Sequence, residues 1–339
     1  MLYTDPLHLR LVIMVRKEVP AVLVAAAVVI LALGCIGGDE KNTTLRIGYQ
    51  PSTHQVAEMV AMENGWWLED LQPFGIEEVK DFEFPSGPPE MQAMLAGELD
   101  IAYVGASPPI SAIAQGLDAK ILAAAQKNGS NLVMRPEVEY TGPQSLVGLK
   151  ISTFPPGSIQ DTVFNKWLQD NDVNPEEIDV KSMGPGDAVT AISAGRVDGV
   201  FLPHPAPAII ELEGNGVSVV ASGEMWPNHA CCCLVVSGEL MRDNPELVEQ
   251  IIRTHIKATE YVTENPDVAA EVYSRKTGQD LDMVTYSIQT WDGAWISDPN
   301  IMVPSVLEFA AVDFELGYTD SLLTAEDLFD TTFYDKVIS

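Results

Sequence analysis

The stretch AGELDIAYVGASPPI, Ala96 to Ile110, returns in altered form as AGRVDGVFLPHPAPA, Ala194 to Ala208. Aligned without gaps, residues 85–125 fall on 183–223 and are identical at Ala93/Ala191, Ala96/Ala194, Gly97/Gly195, Asp100/Asp198, Pro109/Pro207, Gly116/Gly214 and Ala123/Ala221. Leu99/Val197, Tyr103/Phe201, Val104/Leu202, Ile121/Val219 and Leu122/Val220 keep apolar character at matching places. Each copy reads as a helix closed by a glycine, a buried strand, a proline-rich turn, a second helix and a second strand. Upstream, after a six-residue shift, LRIGYQPSTHQ from Leu45 resembles LKISTFPPGSIQ from Leu149. Each half is therefore predicted to be β-α-β-α-β.

Strands alternating with helices imply a parallel sheet covered on both faces. The predicted fold class is α/β, with two similar Rossmann-like lobes and a ligand cleft between them. Ligands of open parallel sheets sit beyond the carboxyl ends of the strands, where the turns SPPI and HPAPA lie. NLVMR, Asn131 to Arg135, and CCCLVVS, Cys231 to Ser237, read as the two crossover strands. The expected division is residues 45–134 plus 235–339 for lobe I and 135–234 for lobe II. Asn244 and Pro245 open an amphipathic helix, and Pro266 to Thr277 reads as another. The tail, with Trp291, Trp295 and Phe309 as packing residues, is expected to return to lobe I.

Of 339 residues, 49 are acidic and 19 are Lys or Arg, giving a formal charge of −30. That balance excludes a nucleic-acid partner, which needs clustered cations on its phosphates. No Walker A, GxSxG or HExxH pattern occurs. Arg16, Lys17 and the apolar run Val19 to Leu33 fit a signal segment, shorter than the roughly twenty residues of a membrane span. The run ends in LALGC, which resembles a prokaryotic lipobox with Cys35 as the lipidated residue. Residues 1–35 are thus expected to be a lipoprotein signal peptide, with Met14 a better-placed start than Met1, and 36–44 a polar tether. The location expected is the outer face of the cell membrane, held by lipid.

Candidate ligand contacts follow from the strand ends. In FPPGSIQD, Phe154 to Asp161, Gly157 lets backbone approach a ligand and Ser158 caps a helix whose free N–H groups attract anions. In YQPSTHQ, Gln50, Ser52, Thr53 and His54 offer polar groups at another helix start. Gly105, Ala106 and Ser107 end the first repeated strand, and His204 sits between two prolines after the second. Trp226 precedes the return crossover. None of these loops carries Lys or Arg. Cys231, Cys232 and Cys233 are consecutive, and alternation along a strand points neighbours to opposite faces. No metal site and no cofactor are expected.

LRIGYQPS, the AGELDIAYVG pattern, the crossover strands and the NPELV helix resemble the substrate-binding proteins of ABC importers, in the nitrate/sulfonate/taurine (SsuA/NrtA-like) group with the type II periplasmic-binding fold. The resemblance covers about residues 45 to 290. It implies a non-enzymatic, monomeric lipoprotein that captures a small ligand, an aliphatic sulfonate or small oxyanion, by lobe closure. Its implied partners are ABC permease and ATPase subunits. Two alternatives carry the same fold. One is a THI5-like pyrimidine-precursor synthase, which uses a His, a clustered-Cys segment and iron; here Leu234 and Val235 follow the cysteines. The other is a sensory ligand-binding subunit.

Overall fold

The computed structural model describes residues 43–339; the signal run, Cys35 and most of the tether lie outside the described residues. Among the described residues there are two sheets, ordered β11-β4-β10-β3-β1-β2 and β7-β6-β8-β5-β9. The strands are β1 (Thr44–Tyr49), β2 (Glu78–Glu83), β3 (Ile101–Gly105), β4 (Ala119–Lys127), β5 (Ser130–Met134), β6 (Lys150–Thr153), β7 (Asp179–Ser182), β8 (Gly199–Pro203), β9 (Val217–Ala221), β10 (Ala230–Ser237) and β11 (Ala294–Trp295). The repeat is visible as β2-β1-β3 in one sheet and β7-β6-β8 in the other, each parallel.

The fourth place in each sheet is taken by a strand arriving from the other half. β5 lies between β8 and β9, and β10 lies between β3 and β4, antiparallel to both neighbours in each case. This differs from the boundaries expected at 134/135 and 234/235. A segment that has crossed must pair its backbone groups at once, so each crossover strand belongs to the sheet it enters. The exchange falls at 127–130 and 225–230, ahead of those strands.

The repeated residues have structural causes. Gly97 and Gly195, at φ of +75° and +65°, end the helices Gly87–Leu95 and Pro185–Ser193 in the left-handed conformation. The Asp100 carboxylate accepts the Arg46 N–H at 2.8 Å, and the Asp198 carboxylate accepts the Lys150 N–H at 2.8 Å. Each aspartate thereby ties the entry of a central strand to its parallel neighbour.

β3, β8 and most of β10 are fully buried, whereas the edge strands β2 and β7 are largely exposed and carry charges. The main core gathers Tyr49, Trp67, Tyr103, Phe164, Phe201 and Phe309.

The predicted helices Pro245–Glu264 and Pro266–Thr277 are present, although Asn244 makes no side-chain cap bond. The tail does more than return to lobe I. β11 pairs with β4, yet helix Leu281–Thr290 packs on Ala206–Leu212, and helix Val303–Glu315 packs on Ile159–Asp170 of the second half. Sequence periodicity shows which face of a tail helix is apolar, not which of two similar halves that face will meet.

Candidate functional site

A cavity of about 70 Å³ lies between the sheets. Its walls are the carboxyl ends of parallel strands from both halves. Gln50, Pro51, Ser52, His54 and Gln55 follow β1, Phe84 and Pro85 follow β2, and Gly105 ends β3. Opposite them, Phe154, Ile159 and Gln160 follow β6, Pro185 follows β7, and Pro203 ends β8. Cys232 of the crossover strand β10 completes the lining.

The walls are apolar at Phe84, Phe154, Ile159 and the prolines, and polar at three amides and a hydroxyl. Gln50 donates to Glu90 at 2.5 Å, Gln55 to the Cys232 sulfur at 3.6 Å, and Gln160 to the Ser130 hydroxyl at 3.2 Å. A side-chain amide has two N–H donors, so each glutamine retains one. The Ser52 hydroxyl bonds no other group among the described residues. Burial raises Glu90 well above the ordinary carboxylate range, against the bond from Gln50. Glu58, buried nearby with no partner at either oxygen among the described residues, is pushed up to about 8, again by burial first.

Of the residues singled out from sequence, Gln50, Ser52, His54, Gly105 and Phe154 meet at this cavity. Thr53 lies beside it, its N–H and hydroxyl both bonded to the His204 carbonyl across the halves at 3.3 and 3.1 Å. His204 is buried, its Nδ1 is 2.8 Å from the Ser287 hydroxyl, and burial lowers its pKa to about 3. It is a neutral knot between the halves and the tail, off the cavity wall. The Ala106 N–H bonds the Cys231 carbonyl at 2.8 Å. Ser107 donates to Asp313 at 2.7 Å, and Thr162 donates to the other Asp313 oxygen at 2.9 Å. Asp313 is thus a bridge between the two halves. Its pKa is pushed up to about 6 by burial, against the pull of those two hydrogen bonds.

Ser158 caps its helix, accepting the Asp161 N–H at 3.3 Å, but the anion site expected there is partly filled. The Asp161 carboxylate accepts the Gly157 N–H at 3.2 Å and the Tyr318 hydroxyl at 2.7 Å. An acid in the first turn satisfies the helix start from within the chain, while Ile159 and Gln160 line the cavity. Trp226 packs edge-on against Phe309 at 4.6 Å, with the Lys166 ammonium 5.1 Å above its ring. It is a packing residue. Sequence reading passed over Phe84, Pro85 and Pro185. The strand-end rule that marked the other loops applies equally to the ends of β2 and β7.

The cysteines depart most from expectation. The register of β10 against β4 slips between Ala230 and Cys232 and again between Cys232 and Cys233. A bulge adds a residue and re-aims side chains, so Cys231 and Cys232 do not alternate. Their sulfurs lie 4.0 Å apart, at 3.3 and 4.0 Å from His54 Nδ1. Cys233 turns away, 3.6 Å from the Val104 carbonyl. The Cys232 thiol is lowered, first by its hydrogen bond with Cys231 and then by His54, while burial pushes Cys231 up.

Solved structures of the same two-lobe architecture include the periplasmic aliphatic sulphonate binding protein SsuA of Escherichia coli, with a TM-score of 0.72, 16% identity, and coverage of 86% of this chain and 99% of that one. The periplasmic nitrate-binding protein NrtA of Synechocystis PCC 6803 gives a TM-score of 0.77, 14% identity and coverage of 88% of each chain. In sequence, a protein of Bacillus subtilis (strain 168) provisionally named for aliphatic-sulfonate binding is 26% identical over 325 residues, or 93% of this chain and 96% of that one. The model of the NMT1-like family matches residues 38–275, most of the chain, so this protein belongs to the NMT1-like family.

Proposed function

We propose that this chain is the extracytoplasmic solute-binding component of an ABC importer, and that it captures a small organic sulfonate or similar oxyanion between its two halves. The observation that carries the reading is the shared cavity. Its donors come from both sides, Gln50, Ser52 and Gln55 facing Gln160, and its apolar flank of Phe84, Phe154 and Ile159 suits a short alkyl tail. Among the described residues no Lys or Arg lines it. The negative group is therefore held by amide and hydroxyl dipoles, which favours a singly charged sulfonate over a multiply charged phosphate. The relatives named for aliphatic-sulfonate and nitrate binding support the same class.

Capture is a shift toward the closed arrangement, driven by contacts that exist only when both halves touch the solute. The chain carries out no reaction in this reading; it hands its solute to a permease, and Cys35 holds it to the membrane by lipid. A thermal-shift screen of short alkanesulfonates, nitrate, bicarbonate and phosphate tests it. A rise in melting temperature is expected with an alkanesulfonate and none with phosphate. A shift only with phosphate, or with no small anion, contradicts the proposal.

A further inference from the structure

We propose that His54, Cys231 and Cys232 form a binding site for a thiophilic d10 metal ion such as Zn²⁺ at the floor of the cleft, independent of the solute reading above. All three residues are buried, and their donor atoms lie within 4.8 Å of one another. With metal bonds of about 2.3 Å to sulfur and about 2.0 Å to nitrogen, tetrahedral or trigonal angles set two sulfurs roughly 3.8–4.0 Å apart and a sulfur and a nitrogen roughly 3.5–3.7 Å apart. The Cys231–Cys232 separation, 4.0 Å, meets this as it stands, and the Cys232–His54 separation, 4.0 Å, exceeds it by about a few tenths of an ångström. The third, 3.3 Å between Cys231 and His54, is the thiol–imidazole hydrogen bond that an ion replaces.

The imidazole is already set for ligation. His54 Nε2 lies 2.7 Å from the Gly129 carbonyl, which can only accept, so Nε2 carries the hydrogen and the Nδ1 lone pair faces the sulfurs. A ring nitrogen tied to a backbone carbonyl is the usual outer support of a metal-bound histidine. Gln55 donates toward the Cys232 sulfur at 3.6 Å, a contact that steadies a thiolate. The bulge in β10 supplies the distortion that adjacent cysteines need in order to share one ion. His54 and Cys232 also line the cavity, so the fourth position of a tetrahedral ion opens toward it. Binding M²⁺ displaces two thiol protons to solvent and forms two metal–sulfur bonds and one metal–nitrogen bond, with no change of oxidation state.

The test is titration of the reduced, metal-free full chain with Zn²⁺ alone and with Co²⁺ as an optical reporter. We expect one ion per chain, proton release, and thiolate-to-cobalt charge-transfer absorption. Cys231→Ser and Cys232→Ser should each weaken binding at least a hundredfold, while Cys233→Ser should leave it unchanged. X-ray absorption on the zinc-loaded wild type should show two sulfur ligands and a nitrogen, a readout that survives any folding failure of the variants. No saturable one-to-one binding, or a first shell of oxygen and nitrogen only, overturns the proposal. So does equal loss in the Cys233 variant. No sulfonate is present, so the outcome is separate from that of the solute screen.

Discussion

The two halves share a frame but not the surfaces they present to the cleft. In the frame, Gly97 matches Gly195, and Asp100 and Asp198 each accept a backbone N–H from a neighbouring strand at the same distance. At the cleft, the first turn is the compact Gly105-Ala106-Ser107 and the second is Pro203-His204-Pro205. Both turns are nevertheless held by the tail, one through Ser107 and Asp313 and the other through His204 and Ser287. The likeness builds two equal supports. The difference gives the two walls of the cleft unlike linings, and the tail holds the two halves together.

The sharpest contrast is electrostatic. Glu90 in the first half occupies the place aligned with Ala188 in the second, and Glu58 is buried with both oxygens unpaired. The buried Asp161 of the second half, by comparison, accepts from Tyr318, Gly157 and Asn165. Native Glu58 keeps its proton to about pH 8, whereas its ordinary value is 4.5. Between those values the folded chain holds a proton that the unfolded chain has released, so this group's contribution to stability falls as pH rises. Glu58→Gln removes that term. The variant should gain on the wild type by about 1.4 kcal/mol per pH unit across this window, read from urea midpoints at several pH values. Parallel curves for the two proteins would refute the assignment.

The shared frame can be broken unequally. Asp100 also pairs with the Arg46 guanidinium, at 2.6 and 3.0 Å, while among the described residues the Asp198 carboxylate bonds only the Lys150 N–H. Asp100→Ala should cost about 3 kcal/mol and Asp198→Ala about 1 kcal/mol, because hydrogen bonds to charged partners contribute more than backbone bonds alone. Equal losses in chemical denaturation would show that the Arg46 pair contributes nothing.

The tail contacts give a smaller contrast. Asp313→Ala removes the charged acceptor shared by the hydroxyls of Ser107 and Thr162, one from each half, leaving them each other at 3.0 Å and the Gly157 carbonyl 3.4 Å from Ser107, and should cost about 2 kcal/mol. Ser287→Ala frees only His204 Nδ1 and should cost about 1 kcal/mol. Asp313→Ala should also weaken solute binding, since its bridge spans the two halves. A loss of stability with unaltered affinity would separate the bridge from closure.

Much of this was legible in the sequence, because it rests on local rules. The repeat gave the sister strands, glycines marked the helix ends, and the strand-end rule brought Gln50, Ser52, His54, Gly105 and Phe154 to one cavity. What escaped depends on long-range pairing. The bulge in β10 is set by its register against β4 and β3, so the approach of Cys231 and Cys232 to His54 has no local signature. The filling of the Gly157–Ser158 helix start by Asp161, and the roles of Ser107 and His204 as ties to the tail, likewise depend on partners distant in the chain, such as Tyr318, Asp313 and Ser287.

That both halves grip one solute is tested most directly by calorimetric titration of a short alkanesulfonate into the wild type, Gln50→Ala and Gln160→Ala. These two amides face the cavity from opposite sides. We predict one ligand per chain and roughly tenfold weaker binding in each variant, the loss of about one hydrogen bond to a charged group. Wild-type affinity in both variants, or a loss confined to one half, would contradict the account.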